Sequence, residues 1–164
     1  MPVNKRTRLA TGLIVAVGLG SAANALWMLG APQLWFEHLP AAVTDFGPYN
    51  VHFIRDVGIA YLSIAVALLW GAWNSAARPP MTLLGAVFFG GHAAIHIFDT
   101  ARGHVGQWHW LLDLPTTYLP VLALIAAILL SRGDTCKAAG SNSTAASRQV
   151  ISPSTASKPK EKSA

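Results

Sequence analysis

Four long apolar stretches, Leu9 to Leu29, Phe53 to Trp73, Met81 to Phe98 and Leu114 to Leu130, constrain this 164-residue chain more than any other feature. Each holds about 17 to 25 residues, enough for a helix to cross a hydrocarbon core of about 30 Å. Lipid offers no partner to backbone N–H and C=O groups, and a stretch of this length satisfies them internally only as a helix. The sequence therefore predicts an all-α integral membrane protein, a four-helix bundle over residues 1–132. Hydrophobic residues make up 52% of the chain and charged residues only 12%, which suits a membrane domain and leaves little for a soluble surface.

The formal net charge of +5 would suit nucleic acid if it formed a basic folded face. It does not: Lys5, Arg6 and Arg8 precede the first stretch, Arg78 separates the second from the third, and Arg132 and Lys137 follow the fourth. Under the positive-inside rule these positions lie in the cytoplasm, so both termini are expected inside and the loops Gly30 to Asn50 and Ala101 to Asp113 outside. The expected location is the cell inner membrane, with the bilayer as partner, a further membrane protein or a second copy as companion, and no nucleic acid. A basic start followed by an apolar run ending in "SAANA" also resembles a secretory signal, but the run continues through "LWMLG", which favours a retained span.

Small residues mark packing faces. Gly18 and Ala22 in the first stretch, and Ala86, Gly90 and Ala94 in the third, recur at spacings that let helix backbones approach. The tryptophans Trp27, Trp35, Trp70, Trp73, Trp108 and Trp110 fall near span ends, where amphipathic rings favour the headgroup region. Asp113 and Pro115 are suited to open the fourth helix, and Pro120 to bend it. Residues 133–164 are rich in Ser, Ala, Thr, Lys and Pro, the composition of a disordered cytoplasmic tail. Cys136 is the only cysteine, so no internal disulfide is available.

All six histidines lie between the end of the first span and the start of the fourth. Within the second span His52 and Asp56 project on one side with Arg55 about 60° away, and within the third His92, His96 and Asp99 share a stripe about 60° wide. Ionisable groups within a membrane usually face the bundle interior and pair, so the two sets are expected to meet at one depth. Three chemistries fit such a meeting. His92, His96 and Asp99 offer ligands for a divalent metal, the two histidines by their i, i+4 spacing, but Ala93, Ala94 and Ile95 supply none of the glutamate that a zincin-type protease needs. Haem would need axial histidines from different helices, His52 with His92 or His96. An acid–base site for a quinone or another lipid-soluble substrate would use His52, Arg55 and Asp56 as its catalytic groups. Against all of these stands a structural ion-pair network that fixes helix register.

The segments "FGPYNVHFIRDVGIAYL" and "GGHAAIHIFD" resemble small bacterial four-span membrane proteins of the DoxX-like kind, over about residues 8 to 132. That resemblance implies a compact inner-membrane bundle and, for some relatives, an association with quinone-linked sulfur oxidation. It carries over His52, Arg55, Asp56, His92, His96 and Asp99 as polar-core residues, and fold analogy assigns no reaction to them. The expected function is therefore a redox-associated or metal-binding membrane protein. The alternatives are a noncatalytic accessory subunit and a membrane isomerase or mutase for a hydrophobic substrate.

Overall fold

A computed structural model describes residues 4–131, and they are helical with no strand among them. The tail at 133–164 and Cys136 lie outside the described residues. Six helices follow in order: α1 (Lys5–Gly30), α2 (Pro32–His38), α3 (Val51–Trp73), α4 (Arg78–Arg102), α5 (His109–Leu112) and α6 (Leu114–Ser131). Of these α1, α3, α4 and α6 are long and apolar enough to cross a membrane, as the four stretches predict. The two short helices and a 3-10 turn at Val43–Phe46 build the loops after α1 and α4, which the sequence pattern did not resolve.

Helix ends are fixed by local polar chemistry. The Asn50 side chain accepts from the Phe53 N–H and opens α3, satisfying a donor with no partner inside the helix. At the other end Arg78 donates from Nε to the Gly71 carbonyl at 3.2 Å and from Nη2 to the Ala72 carbonyl at 2.9 Å. A cation there meets both the orphan carbonyls and the negative end of the helix dipole. The sequence suggested only an orientation role for Arg78; it also closes α3.

Lipid tails are as apolar as leucine, so these helices associate through close packing rather than through exclusion of water. α1 buries Ala10, Ile14, Gly18, Ser21, Ala25 and Met28, a stripe at spacings of three and four, and lays it against α3. Gly18 meets Leu69 and Leu68 near one end of the pair, Gly58 meets Met28 and Leu29 near the other, so the two run antiparallel. On α4 the buried stripe is Thr82, Gly85, Phe89, Ala93 and Thr100. The expected packing face of Ala86, Gly90 and Ala94 is therefore displaced by one residue: Ala94 is exposed, and Gly85 makes the close approach.

A Cβ at Gly85 would stand 2.8 Å from Leu68 Cδ2 on α3 and 3.2 Å from Leu124 Cδ1 on α6. Both leucines are fully buried and have no free space to retreat into. Gly85→Val is expected to destabilise the bundle by about 1–3 kcal/mol through overpacking, measurable as a lower midpoint of thermal unfolding in mild detergent. An unchanged midpoint would mean that α3, α4 and α6 do not meet at Gly85.

The spans leave many large apolar side chains on their outer surfaces, among them Leu19, Leu26, Val66, Leu83, Val87, Leu122 and Leu129. In water such a surface would aggregate; in a bilayer it meets acyl chains. Trp27, Trp70, Trp73, Trp108 and Trp110 are exposed near span ends, but Trp35 is not, with only 8% of its surface accessible. Its indole N–H donates to Asn24 Oδ1 at 2.8 Å, tying α2 back onto α1.

A cavity with a buried histidine–aspartate network

A cavity of about 720 Å³ lies among α1, α3, α4 and α6 and is roofed by the loop after α1. Most of its wall is apolar, with Val17, Met28, Phe53, Val57, Phe89, Ile95 and Leu119 among the contributors. Polar atoms reach it from Asn24, Tyr61, His92, His96 and Asp99. Ala16 and Gly20 on α1 and Leu119 on α6 line the cavity and are exposed, as are Phe53 on α3 and Ile95 on α4, so the cavity wall reaches the surface of the bundle.

The α4 stripe behaves as its spacing predicts: His92, His96 and Asp99 all border the cavity. The His92 and His96 rings stand edge to face with centroids 4.6 Å apart, and Tyr61 from α3 lies edge-on to His92 at 6.0 Å. The α3 set does not join them. α3 buries Ile54, Gly58, Tyr61, Ile64, Ala65 and Leu68, which turns His52, Arg55 and Asp56 outward. His52 and Asp56 pair with each other at 3.3 Å, with side chains 88% and 65% exposed. The first turns of a span sit at interface depth, where water and headgroups hydrate charge, so facing outward there costs little. Phe53 and Val57, apolar residues next to them in the sequence, reach the cavity instead.

The partner of His96 is Asp113, which the sequence suggested only as a helix cap. Its side chain makes no capping bond to α6. A π-helical turn at Leu114–Tyr118, in which the Thr117 and Tyr118 N–H groups both bond to the Asp113 carbonyl, opens the helix instead. The freed carboxylate is fully buried and accepts from His96 Nδ1 at 2.8 Å through Oδ2. Such a short contact is that of a charge-assisted bond, and it leaves Nε2 as the free nitrogen of a ring that lines the cavity.

Asp113 Oδ1 faces His109 Nδ1 at 3.5 Å, and His109 Nε2 contacts Asp45 Oδ2 at 3.1 Å. His109 is fully buried; Asp45 is 42% exposed. A continuous series therefore runs from Asp45 in the loop after α1, through His109 and Asp113, to His96 at the cavity. Phe46 packs against both imidazoles, with ring centroids 4.8 Å from each. Ala42, just before the turn that carries Asp45 and Phe46, has φ of 48°. A non-glycine residue in that left-handed region costs about 1–2 kcal/mol, so the surrounding contacts hold the turn in place against strain.

The structure adds no support to the metal expectation at His92, His96 and Asp99. His96 commits Nδ1 to Asp113, and Asp99 turns to His104 Nδ1 at 3.1 Å. No group of three or more His, Cys, Asp or Glu among the described residues is placed to hold a metal ion. Nor does His52 approach the cavity as a second axial haem ligand would have to. No family model, curated protein or solved structure matches the chain. Its chemistry is thus carried by geometry.

Reasoning from the sequence alone missed Asp45, Asp113, Asn24, Trp35 and Tyr61 as site residues and offered His109 only as a loop residue that could extend the site or cap it. One signal was available for two of them: His109 and Asp113 repeat the i, i+4 spacing of His92 and His96 and lie at the matching end of an antiparallel neighbour. Asp45 carries no comparable signal, because a side chain 64 positions from its partner is brought there by the fold alone.

Proposed function

We propose that this chain binds an amphipathic, lipid-soluble small molecule within the bilayer and exchanges a proton with its polar head through His96. The observation that carries this reading is the buried His96–Asp113 pair at the wall of a mainly apolar cavity. A pocket of several hundred Å³ with few convergent polar groups is the usual form of a small-molecule site. The carboxylate holds the imidazole in one tautomer and stabilises the ring when Nε2 takes up a proton, the arrangement of a general base.

Exposed lining residues on the spans, Ala16 and Gly20 on α1 and Leu119 on α6 among them, favour entry of the ligand from the membrane between α1 and α6 rather than from water. A quinol–quinone couple suits the site: its isoprenoid tail matches the apolar wall, a quinol hydroxyl can donate to the free His96 Nε2, a quinone oxygen can accept from that nitrogen once it is protonated, and the Asn24 amide N–H can donate to the other ring oxygen. The resemblance to DoxX-like proteins, some of them associated with quinone-linked oxidation, agrees with that class. The positive-inside rule adds an orientation, with both termini in the cytoplasm of an inner membrane and the histidine-bearing loops outside.

A short-tailed benzoquinone titrated into the protein in lipid nanodiscs is expected to bind saturably, and His96→Ala to weaken it about tenfold, the worth of one hydrogen bond to a polar head. Absence of saturable binding by the native protein sinks the reading. A second reading rests on the same bonds: Asp45, His109, Asp113 and His96 tie the two loops to α4 and α6 and would serve an accessory subunit as a structural lock. Under that reading His96→Ala lowers thermal stability and leaves quinone affinity unchanged.

A further inference from the structure

We infer that Asp45, His109 and Asp113 form a proton path joining His96 in the cavity to the aqueous phase at the loop end of the bundle. The inference rests on the reading of His96 as the group that exchanges protons with a ligand, and it deepens that reading by assigning where those protons go.

The argument begins with two orphaned atoms. His109 Nδ1 and Asp113 Oδ1 are buried without a hydrogen-bond partner, yet stand 3.5 Å apart. With His96 Nδ1–H donating to Asp113 and His109 Nε2–H donating to Asp45, two lone pairs face one another across that gap. Buried polar atoms left this way cost about 1–3 kcal/mol each, and one added proton between them satisfies both. The network is thus built with a vacant place for a single proton, midway between cavity and surface.

A complete passage balances. His96 Nε2 takes a proton from the ligand, and its Nδ1–H passes to Asp113 Oδ2. The neutral carboxyl group turns about its Cβ–Cγ bond and gives that proton to His109 Nδ1. His109 releases its Nε2–H to Asp45, which exchanges with water. Each group gains one proton and loses one, and the two imidazoles finish as the opposite tautomers; passage in reverse, or rotation of the rings, restores them. The other titratable groups beside the path are His92, edge to face with His96, and Tyr118, whose buried hydroxyl has no partner. Neither connects His96 to solvent, whereas Asp45 is substantially exposed.

The test is exchange of the His96 ring N–H with water, followed by NMR on ¹⁵N-histidine-labelled full-length protein in ligand-free nanodiscs. Asp45→Asn keeps an acceptor for His109 but removes the ability to take up a proton, and it is expected to slow exchange by about tenfold or more. Asp45→Glu is expected to restore the native rate. Unchanged exchange in Asp45→Asn overturns the path, as does equal slowing in Asp45→Asn and Asp45→Glu, which would point to shape rather than proton capacity. Because no ligand is present, failure here is separate from failure of quinone binding.

Discussion

Asp113→Ala is expected to destabilise the protein by about 1.5–3 kcal/mol, the loss of a buried hydrogen bond to a charged group that leaves its donor unsatisfied. Truncation takes away the acceptor for His96 Nδ1 and leaves His109 facing an empty space with no carboxylate on its Nδ1 side. Asp113→Asn should behave quite differently. The amide oxygen accepts from His96 Nδ1, and the amide N–H supplies the hydrogen that the gap to His109 Nδ1 now lacks. Its stability is expected within about 1 kcal/mol of native, because every buried polar group finds a partner. An amide cannot relay the proton, so exchange of the His96 ring hydrogen should slow as in Asp45→Asn. Thermal unfolding in mild detergent checks the first pair of outcomes, and the NMR exchange measurement checks the last. Equal destabilisation by Ala and Asn would mean that negative charge itself, rather than hydrogen-bond satisfaction, holds the loops to α4 and α6.

The contrast bears on what an isolated sequence discloses. The four spans were legible because membrane insertion imposes a one-dimensional rule: length and apolarity suffice, and neither depends on which helix touches which. The stripe of His92, His96 and Asp99 was legible for a similar reason, since helical periodicity fixes which residues share a face. Which face turns inward is a different question. For α4 the polar stripe borders the cavity, but for α3 the expectation that charges face inward was overridden by depth. Close to the interface, hydration of His52, Arg55 and Asp56 competes with burial, and the Ile54–Gly58–Tyr61 stripe packs better against α1 and α4.

Asp113 shows a second limit. Aspartate before proline at a helix start reads as a cap, because local side-chain-to-backbone bonding is the commonest use of that residue there. The π-helical turn satisfies the backbone in another way and frees the carboxylate for a tertiary role. Such turns arise from an extra residue in the helical register, which no local pattern of apolar residues announces.

The cavity itself gives the remaining large effect. Gly20 lines it, is exposed, and a Cβ there would meet nothing within 4 Å. Gly18, two residues earlier, is the opposite case: a Cβ would press on Leu69 at 2.9 Å. Evidently α1 needs its glycine at 18 for packing and not at 20, where a glycine within a helix costs about 0.5–1 kcal/mol relative to alanine. Gly20→Trp places a large ring on the route proposed between α1 and α6, without displacing a packed neighbour at its Cβ. Binding of the benzoquinone probe is expected to weaken about a hundredfold, or about 2.7 kcal/mol, while the unfolding midpoint stays at or above the native value. Weaker binding with a lowered midpoint would trace the effect to a disturbed bundle, and Gly20→Ala, which adds a methyl group and no bulk, separates the two: it should bind as the native protein does. If Gly20→Trp binds the probe normally, the ligand does not pass between α1 and α6. The His96–Asp113 pair would then have to be reached from the loop end, past Phe46, by a molecule small and polar enough to enter from water.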